Sequence, residues 1–225
     1  MFTEEPYWLE EAYGKAINIS DTGIMERNLS YSKLVSVLLY FSYDKNAAFL
    51  DYAGGHGIFT RLMRDVGFDF YWTDLYCENM LAKGFEYASG VNKDIRLITA
   101  FEVFEHFVNP IEEIEKMLSI SQNIAFSTEL LPLPIPKSTE WWFYAPEHGQ
   151  HVSFYSLKTL KVIAKKFRLN YYNYGHFHLL TRQKINAGLF KLLMLMSTRG
   201  LFLFIKKGMK SKTWNDHILL KNKFM

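Results

Sequence analysis

Hydrophobic residues recur along the chain at two spacings, and together they predict an α/β fold. Apolar residues at helical spacing predict helices over residues 24–43, 58–66, 109–119 and 156–167. Short apolar runs typical of strands lie at residues 47–53, 68–73, 95–101, 123–129, 168–174 and 177–182. Strands that alternate with helices form a parallel, doubly wound sheet, and only the last two runs are close enough for an antiparallel pair. A polar stretch after Asp74 is also expected to be helical.

Three glycines within four positions, Gly54, Gly55 and Gly57, follow the first predicted strand and precede a helix. Glycine weakens both elements, so either this is an ordinary tight turn or a ligand lies against the backbone. Ligands of doubly wound sheets bind at the carboxyl ends of the strands, where the winding reverses, and the glycines fall there. The amides of the following helix would point at such a ligand, so the pattern predicts a nucleotide-type site.

Two aspartates end neighbouring predicted strands, and they indicate which nucleotide cofactor binds. Asp74, at the end of the second strand, can accept both hydroxyls of a ribose, or it can simply be a turn or helix-capping residue. Asp51, at the end of the first strand, would repel the pyrophosphate of a dinucleotide but attract the cationic ammonium and sulfonium of S-adenosylmethionine. The pair therefore favours methyl transfer over hydride transfer.

Several motifs resemble those of class I S-adenosylmethionine-dependent methyltransferases. "LDYAGGHG" resembles motif I, usually Leu-Asp-x-Gly-x-Gly-x-Gly, with Ala53 in place of the first glycine, and "YWTDLY" resembles motif II. "ITAFEVFEHFVNPIEEIEKM" is similar to the fourth-strand segment, often Glu-x-x-Glu-His-x-x-x-Pro in relatives of ubiquinone-pathway O-methyltransferases. "FSTELLP" resembles the fifth strand and its exit, so the resemblance spans roughly residues 45–182.

This resemblance implies a Rossmann-like, seven-stranded, mostly parallel sheet with one antiparallel strand. It also implies that S-adenosylmethionine is the cofactor. The residues that it assigns to the donor site are Asp51, Tyr52, Ala53, Gly54, Gly55, Gly57, Asp74, Leu75 and Phe101. The segment that usually contacts adenine is very short here, so we assign that contact to no residue.

Methyl transfer to a hydroxyl needs alignment of donor and acceptor, and a base that removes the proton. Alignment can contribute on the order of 7–11 kcal/mol, and a base roughly 10²–10⁴-fold in rate. One base candidate is the loop Glu147–His151, where His151 is preferred over His148. Trp141, Trp142 and Tyr144 precede it, and aromatic faces of this kind can stack on sugar rings. Alternatively, this loop is an ordered lid whose histidines only bond to backbone.

The other candidates are Glu105 and His106, just past the third predicted strand, and Glu102 and Glu129 are weaker alternatives. The family resemblance implies that they lie beside the donor's methyl group, as base or orienting residue, although either could simply be a contact at a helix entry. Together with one loop histidine they have reasonable ligand chemistry for a divalent metal. Nothing in their spacing requires a metal, so none is predicted.

Charge is segregated along the chain. Residues 1–157 carry 11 Lys/Arg against 22 Asp/Glu, whereas residues 158–225 carry 15 Lys/Arg and a single acid, Asp216. The basic tail is expected either to face an anionic surface or to dock on the acidic body of its own chain. A nucleic-acid partner is not predicted, because it would need a basic surface near the site.

Residues 187–209 are strongly apolar, but Lys191, Arg199 and Gly200 interrupt them. The longest charge-free run is shorter than the about 20 residues that a membrane span needs. We expect this segment to pack on the domain or on a second subunit, or else to contact the membrane peripherally as an interfacial helix pair.

The N-terminal sequence MFTEEPYWLEE lacks the features of a signal peptide, and the single cysteine, Cys77, excludes an internal disulfide. We expect a cytoplasmic protein, peripheral at the inner face of the membrane if its tail binds lipid. The predicted division is a methyltransferase domain at 1–185, with a helical lead-in at 1–44, and a basic, apolar helical extension at 186–225.

The predicted activity is methyl transfer from S-adenosylmethionine to a small polar acceptor. "WWFYAPEHGQHVSFYS" resembles small bacterial methyltransferases of surface-polysaccharide and other glycan biosynthesis, which favours a sugar or glycan hydroxyl. One alternative is an NAD-dependent oxidoreductase. Another is a non-catalytic binding module that kept the fold after the turn at Ala53 lost its affinity for the donor.

Overall fold

The computed structural model describes residues 21–87, 93–145 and 151–224. Its helices are α1 (Ile24–Ser42), α2 (Ile58–Val66), α3 (Pro110–Ile120), α4 (Leu157–Lys166), α5 (Ala187–Met196), α6 (Phe202–Gly208) and α7 (Thr213–Phe224). Its strands are β1 (Ala48–Tyr52), β2 (Asp69–Thr73), β3 (Ile95–Ala100), β4 (Asn123–Ser127), β5 (Asn170–Tyr174) and β6 (Phe177–Thr181). Single helical turns cover Phe104–His106 and Trp142–Tyr144, and a π-helical turn, Ser197–Leu201, joins α5 to α6.

The described strands form one sheet in the order β2–β1–β3–β4–β6–β5. β1 pairs in parallel with β2 and β3, and β3 pairs in parallel with β4. β6 runs antiparallel to its neighbours β4 and β5. The predicted Rossmann-like, mostly parallel sheet with one reversed strand is therefore confirmed. The winding reverses at β1, so a ligand crevice is expected at the carboxyl end of that strand.

The sheet has six strands in the part of the chain that the structure describes, rather than the expected seven. Between β2 and β3 the chain makes a single bridge pair, Trp72 with Glu86, instead of a ladder. The stretch after Asp74 that was expected to be helical forms turns. The side chain of Asn79 accepts a hydrogen bond from the N–H of Ala82 at 2.9 Å. Such a local side-chain bond satisfies a backbone donor without a helix.

Two hydrophobic clusters cover the two faces of the sheet. Successive residues of β1 point to opposite sides, so Phe49 packs in the first cluster and Leu50 in the second. The first cluster includes buried residues of α1, α2, α5 and α6, and the second includes those of α3 and α4. Predicted donor-site residues lie in and after the carboxyl ends of β1, β2 and β3, while His151 lies in the loop after β4.

The apolar C-terminal segment packs on the domain. Phe190, Met194 and Ile205 are buried in the first cluster with residues of α1. The helical path breaks at Arg199 and at Gly200, whose φ of 104° lies in the left-handed region. By length and composition alone, Ala187–Gly208 is a segment that could cross a membrane. The division at residue 185 stays a prediction.

Helix α7 is held to the body of the domain by the one acidic residue of the tail. Asp216 is buried and accepts hydrogen bonds from Arg64 at 2.7 and 2.8 Å and from Arg61 at 2.8 Å. These bonds lower the pKa of its carboxyl, although burial opposes them. The tail thus binds the domain through its own acidic residue, Asp216, and two arginines of α2.

Candidate active site

The glycine turn joins β1 to α2 and is fixed at both ends by backbone hydrogen bonds. The N–H of Gly54 donates to the carbonyl of Thr73 at the end of β2 (3.2 Å), and the N–H of Gly57 donates to the carbonyl of Gly54 (3.0 Å). Because of the first bond, the loops that follow β1 and β2 lie side by side.

Protein atoms explain why two of the glycines cannot be larger residues. A Cβ at Gly54 would lie 2.6 Å from Oδ2 of Asp51 and 2.8 Å from a ring carbon of Trp72. Gly57 has a φ of 84°, and a Cβ there would lie 2.9 Å from Oδ1 of Asn79. Protein atoms, Asp51 among them, are therefore enough to require these two glycines in a tight turn, and the approach of a ligand to the turn stays a prediction.

Ala53 stands where the family pattern has its first glycine, and its backbone is left-handed, with a φ of 54°. The left-handed conformation costs a residue with a Cβ about 1–2 kcal/mol. The pattern's preference for glycine thus has a local physical reason, and this chain tolerates the cost of alanine.

Asp51 lies beneath the turn and ties together three elements. It is 2% exposed, and its two carboxylate oxygens accept hydrogen bonds from the hydroxyls of Thr60 on α2 and Thr99 on β3, both at 3.0 Å. Burial raises its pKa to about 7, and the nearby charge of Asp74 adds to the rise. Near neutral pH this carboxyl is therefore poised between its neutral and ionised forms.

Asp74 touches the glycine turn directly. Its Oδ2 accepts a hydrogen bond from the N–H of Gly55 at 2.9 Å, and its Oδ1 accepts from the N–H groups of Tyr76 and Cys77 at 2.8 Å. Asp74 therefore acts as a turn residue, which was the alternative to ribose binding. Its carboxylate also lies at the carboxyl end of β2, beside the turn that follows β1, and its role with ribose stays a prediction.

The other predicted donor residues follow the same edge of the sheet. Leu75 is 85% exposed directly after Asp74. The hydroxyl of Tyr52 donates to Oε2 of Glu113 on α3 at 3.0 Å. Phe101 stacks on Tyr31 of α1, with ring centroids 4.3 Å apart. These contacts set the orientation of Tyr52 and Phe101, while the Leu75 side chain is uncovered.

Glu102 fixes the loop after β3 through several contacts. The sequence indicated it only as a weaker alternative base. Its φ is 57°, and its Oε1 accepts hydrogen bonds from the hydroxyls of Ser127 at 2.6 Å and Tyr31 at 3.0 Å. Arg27 of α1 lies 3.3 Å from its Oε2. Arg27 and Tyr31 read as ordinary residues of an amphipathic helix, so no sequence signal could have found them.

Glu105 is buried on the single turn that follows, and it holds the distant loop in place. Its carbonyl accepts hydrogen bonds from the N–H groups of Val152 at 2.8 Å and Ser153 at 2.9 Å. Its Oε2 is buried without a hydrogen-bond partner among the described residues. Burial raises the pKa of this carboxyl well above its usual range, and the charge of Glu102 adds to the rise.

These backbone bonds bring His151 against His106, with ring centroids 5.0 Å apart at 80°. The Nδ1–H of His151 donates to the carbonyl of Phe143 at 2.7 Å, because a carbonyl can only accept. In the neutral ring the lone pair then lies on Nε2. One ligand-type atom from each of Glu105, His106 and His151 lies within 4.8 Å of the others.

The remaining loop predictions have different outcomes. His148 lies in 146–150, outside the described residues, so its role stays a prediction. Glu129, a weaker alternative as base, pairs with His176 at 2.9 Å. Trp142 is 73% exposed, and Trp141 packs edge to face on Tyr144 at 5.0 Å.

Comparison with known proteins identifies the family. The profile of a family described as "Methyltransferase domain" matches residues 25–173, well over half of the chain. The chain belongs to this methyltransferase family. Membership confirms the predicted class, whose methyl donor is S-adenosylmethionine, over the nicotinamide-dependent alternative. None of the curated proteins compared with the chain matches it.

Solved structures support the fold of the methyltransferase. The plantazolicin methyltransferase BpumL in complex with SAH is 13% identical, with a TM-score of 0.55 over 90% of this chain and 91% of that one. Magnesium protoporphyrin IX methyltransferase from Synechocystis PCC 6803 with bound SAH is 12% identical, with a TM-score of 0.53 over 76% of this chain and 90% of that one. At these identities the likeness is one of fold.

Proposed function

We propose that this methyltransferase transfers a methyl group from S-adenosylmethionine to a hydroxyl of a sugar or glycan. The observation that carries the proposal is the meeting of His106 and His151, whose rings are 5.0 Å apart although the residues are distant in sequence. An oxygen nucleophile must lose a proton during the transfer, and imidazole is the side chain that most often accepts one in catalysis.

His151 is the group that we assign as the base. Its Nδ1–H is committed to the carbonyl of Phe143, so Nε2 is the nitrogen that can accept a proton. The bond also fixes the plane of the ring, which is how a base is kept in line with an acceptor. His106, packed edge to face on that ring, would orient it, and Glu105 would hold the loop through its carbonyl.

An aromatic wall beside this cluster supports a sugar acceptor. Trp142 is 73% exposed, next to Phe143, whose carbonyl binds His151. Phe143 and Phe154 form further ring contacts with Trp141 at 5.3 and 5.7 Å. A rigid wall of this type offers apolar faces for the C–H side of a pyranose ring, while the histidines face its hydroxyls.

The C-terminal extension supports peripheral contact with an anionic membrane, which would suit a lipid-linked glycan. Exposed apolar side chains of α5 and α6 are Leu189, Leu192, Met196, Leu203 and Phe204. Exposed cations accompany them at Lys191, Arg199, Lys206 and Lys207. Apolar side chains flanked by lysines are typical of interfacial helices, and the acid of this region, Asp216, is buried in its ion pairs.

Methylation of a panel of nucleotide-linked and lipid-linked sugars, followed by mass spectrometry, tests the proposed acceptor. We expect mass gain by one methyl group in a sugar, and loss of roughly 10²-fold or more in rate for His151→Ala with S-adenosylhomocysteine affinity unchanged. His217→Asn, an exposed histidine on α7, is the matched control. Methylation of peptides or planar aromatic hydroxyls, with no sugar accepted, would overturn the proposal.

A further inference from the structure

The C-terminal segment 210–216 docks on the end of α2 that lies away from the glycine turn. The N–H of Lys212 donates to the carbonyl of Arg64 at 3.1 Å, so the segment satisfies one of the carbonyls that the last turn of a helix leaves without a partner. A Cβ at Gly67, just after α2, would lie 2.6 Å from the carbonyl oxygen of Lys210. The glycine at this position therefore allows the two stretches of backbone to approach each other closely.

Asp216 anchors this segment on the polar face of α2. Its two carboxylate oxygens accept from Nη2 and Nε of Arg64 at 2.7 and 2.8 Å, which is a bidentate pair, and Oδ2 also accepts from Arg61 at 2.8 Å. The side chains of Asp216 and Arg64 are only 6% and 4% exposed, so the loss of either would leave the other charge buried and poorly compensated. Asp216 is the single acidic residue of 158–225, so no other acid of the tail can take its place.

α2 is a short helix whose position depends on such contacts. It has nine residues, and helices shorter than about 12 residues are marginally stable in isolation. Its apolar face packs in the first hydrophobic cluster, while segment 210–216 holds its polar face and its C-terminal end. At its other end it follows Gly57, whose carbonyl accepts from the N–H of Arg61 at 3.0 Å. The position of α2 therefore helps to set the position of the glycine turn.

Arg64 also connects the tail with the glycine turn by a second route, through β2 and the loop after it. Its Nη1 donates to the carbonyl of Phe70 at 2.8 Å, and its guanidinium lies 3.6 Å from the ring centroid of Phe85. The carbonyl of Phe85 accepts from the backbone N–H of Trp72 at 2.9 Å. The indole N–H of Trp72 in turn donates to the carbonyl of Gly55 at 2.9 Å. Two chains of contacts thus lead from the tail to the same turn.

We propose that segment 210–216 positions α2 for binding of the methyl donor, with Asp216 as the positioning residue. The family model matches residues 25–173, so this segment lies beyond the matched domain. When the segment is docked, α2 and the glycine turn are held in the arrangement that binds S-adenosylmethionine. When it is detached, that arrangement is less populated, and the apparent affinity for the donor falls in proportion. This role rests on the prediction that the donor binds at the glycine turn, and it does not depend on the identity of the acceptor.

Calorimetric titration of the full-length chain with S-adenosylhomocysteine tests the coupling. Asp216→Asn should weaken the affinity about 5-fold or more, which is the lower end of the range for coupling between distant sites. Asp216→Glu, which keeps the charge, should bind more tightly than Asp216→Asn. Ile205→Ala is the control, because it removes a fully buried side chain of the same extension but none of the hydrogen bonds to α2, and its affinity should equal that of the wild type. Circular dichroism shows that each variant is folded.

Hydrogen exchange of the wild type tests the same coupling without any variant. Because coupling is reciprocal, bound S-adenosylhomocysteine should stabilise the docked segment by the same factor. We expect the N–H of Lys212 to exchange about 5-fold more slowly or less rapidly still when the ligand is bound. The N–H of Phe190, which donates to the carbonyl of Asn186 at 2.8 Å in the same extension, should keep its rate. A segment that only stabilises the fold would not produce this difference.

Two results would overturn the proposal: equal affinity of Asp216→Asn and the wild type, or the same effect of the ligand on the exchange of Lys212 and Phe190. Comparison with Asp74→Ala separates this role from the placement of the donor. Weaker binding in Asp74→Ala but not in Asp216→Asn refutes the role of the tail alone. Unchanged binding in both variants refutes the placement of the donor at the glycine turn as well.

Discussion

The carboxylate of Asp74 accepts a hydrogen bond from the backbone N–H of Gly55 at 2.9 Å. This bond makes the loop after β2 and the glycine turn after β1 one piece of structure. A residue expected to hold the donor's ribose is therefore already oriented by the turn that approaches the donor. Loss of Asp74 should disturb both parts of the donor site at once.

Asp74→Ala should lower the affinity for S-adenosylhomocysteine about tenfold or more, because hydrogen bonds to a charged group contribute about 1.5–3 kcal/mol. Isothermal titration calorimetry measures the change. Asp44→Ala is a matched control, since Asp44 is another turn aspartate and accepts a backbone hydrogen bond from Asn46 at 3.0 Å. Unchanged affinity in Asp74→Ala would show that this carboxylate serves the turn only.

Ala53→Gly should stabilise the protein by about 1 kcal/mol, because glycine adopts a left-handed backbone without the cost that alanine pays. Urea denaturation gives the free energy of unfolding. Ala47→Gly is the control, since Ala47 is outside the set of residues with positive φ and should gain no stability. A loss of stability in Ala53→Gly equal to that in the control would contradict the strain at this position.

Asp51 should make stability fall as pH rises. Its pKa is raised to about 7 in the folded chain, so between about pH 4 and 7 the folded state keeps a proton that the unfolded state has released. Stability from this group is complete below pH 4 and is lost as pH rises through 7. The side chain of Asp51→Asn cannot ionise, so this variant should not lose stability in the same way. The free energy of unfolding of Asp51→Asn minus that of the wild type should therefore increase by up to a few kcal/mol between about pH 4 and 7.

One result of the pH series would contradict a raised pKa at Asp51. If the difference in unfolding free energy between Asp51→Asn and the wild type is the same at pH 4 and pH 8, then the pKa of Asp51 is the same in the folded and unfolded chain and burial does not raise it. Thermal denaturation at the same pH values, with Asp44→Asn as an exposed control, checks the result by a second method.

The double variant Leu203→Ser/Phe204→Ser should no longer bind anionic vesicles. Both side chains are 67% exposed on α6, beside Lys206 and Lys207. Each lysine near an anionic surface contributes about 1 kcal/mol, so Lys206→Gln/Lys207→Gln should weaken binding by roughly 30-fold, and salt should do the same for the wild type. Sedimentation with phosphatidylglycerol vesicles measures both variants.

Leu133→Ser/Ile135→Ser is the matched control for exposed apolar residues elsewhere, since these side chains are 82% and 66% exposed in the long loop after β4. It should sediment like the wild type. Equal binding of the wild type to phosphatidylcholine and phosphatidylglycerol vesicles, or no binding to either, would count against the proposed surface.

The order of strands and helices could be predicted from the sequence because hydrophobic spacing and short-range signals determine it. The six strands lie within a few residues of the predicted runs, and the glycine turn lies at the end of β1. The seventh strand was expected from family resemblance, and Asn79 and its turn replace the regular structure that should precede it. A single side-chain bond of this type leaves no periodic signal.

Long-range contacts in the site were harder to predict. Asp51 was recognised at the end of β1, but its burial beneath Gly54, between Thr60 and Thr99, depends on how α2 and β3 pack. The approach of His151 to His106 depends on a loop of more than twenty residues folding back on Glu105. Sequence identified both groups as separate base candidates, and the backbone bonds to Glu105 unite them.

We propose that carboxylates at the ends of β1 and β2 select a cationic methyl donor. Calorimetric titration of the wild type and Asp51→Asn with S-adenosylmethionine, S-adenosylhomocysteine and NAD tests it most directly. We expect one site for the first two ligands and none for NAD. In Asp51→Asn, we expect the preference for the charged sulfonium over the neutral product to be lost. Binding of NAD in preference to S-adenosylmethionine, or the same preference between the two sulfur compounds in both proteins, would contradict it.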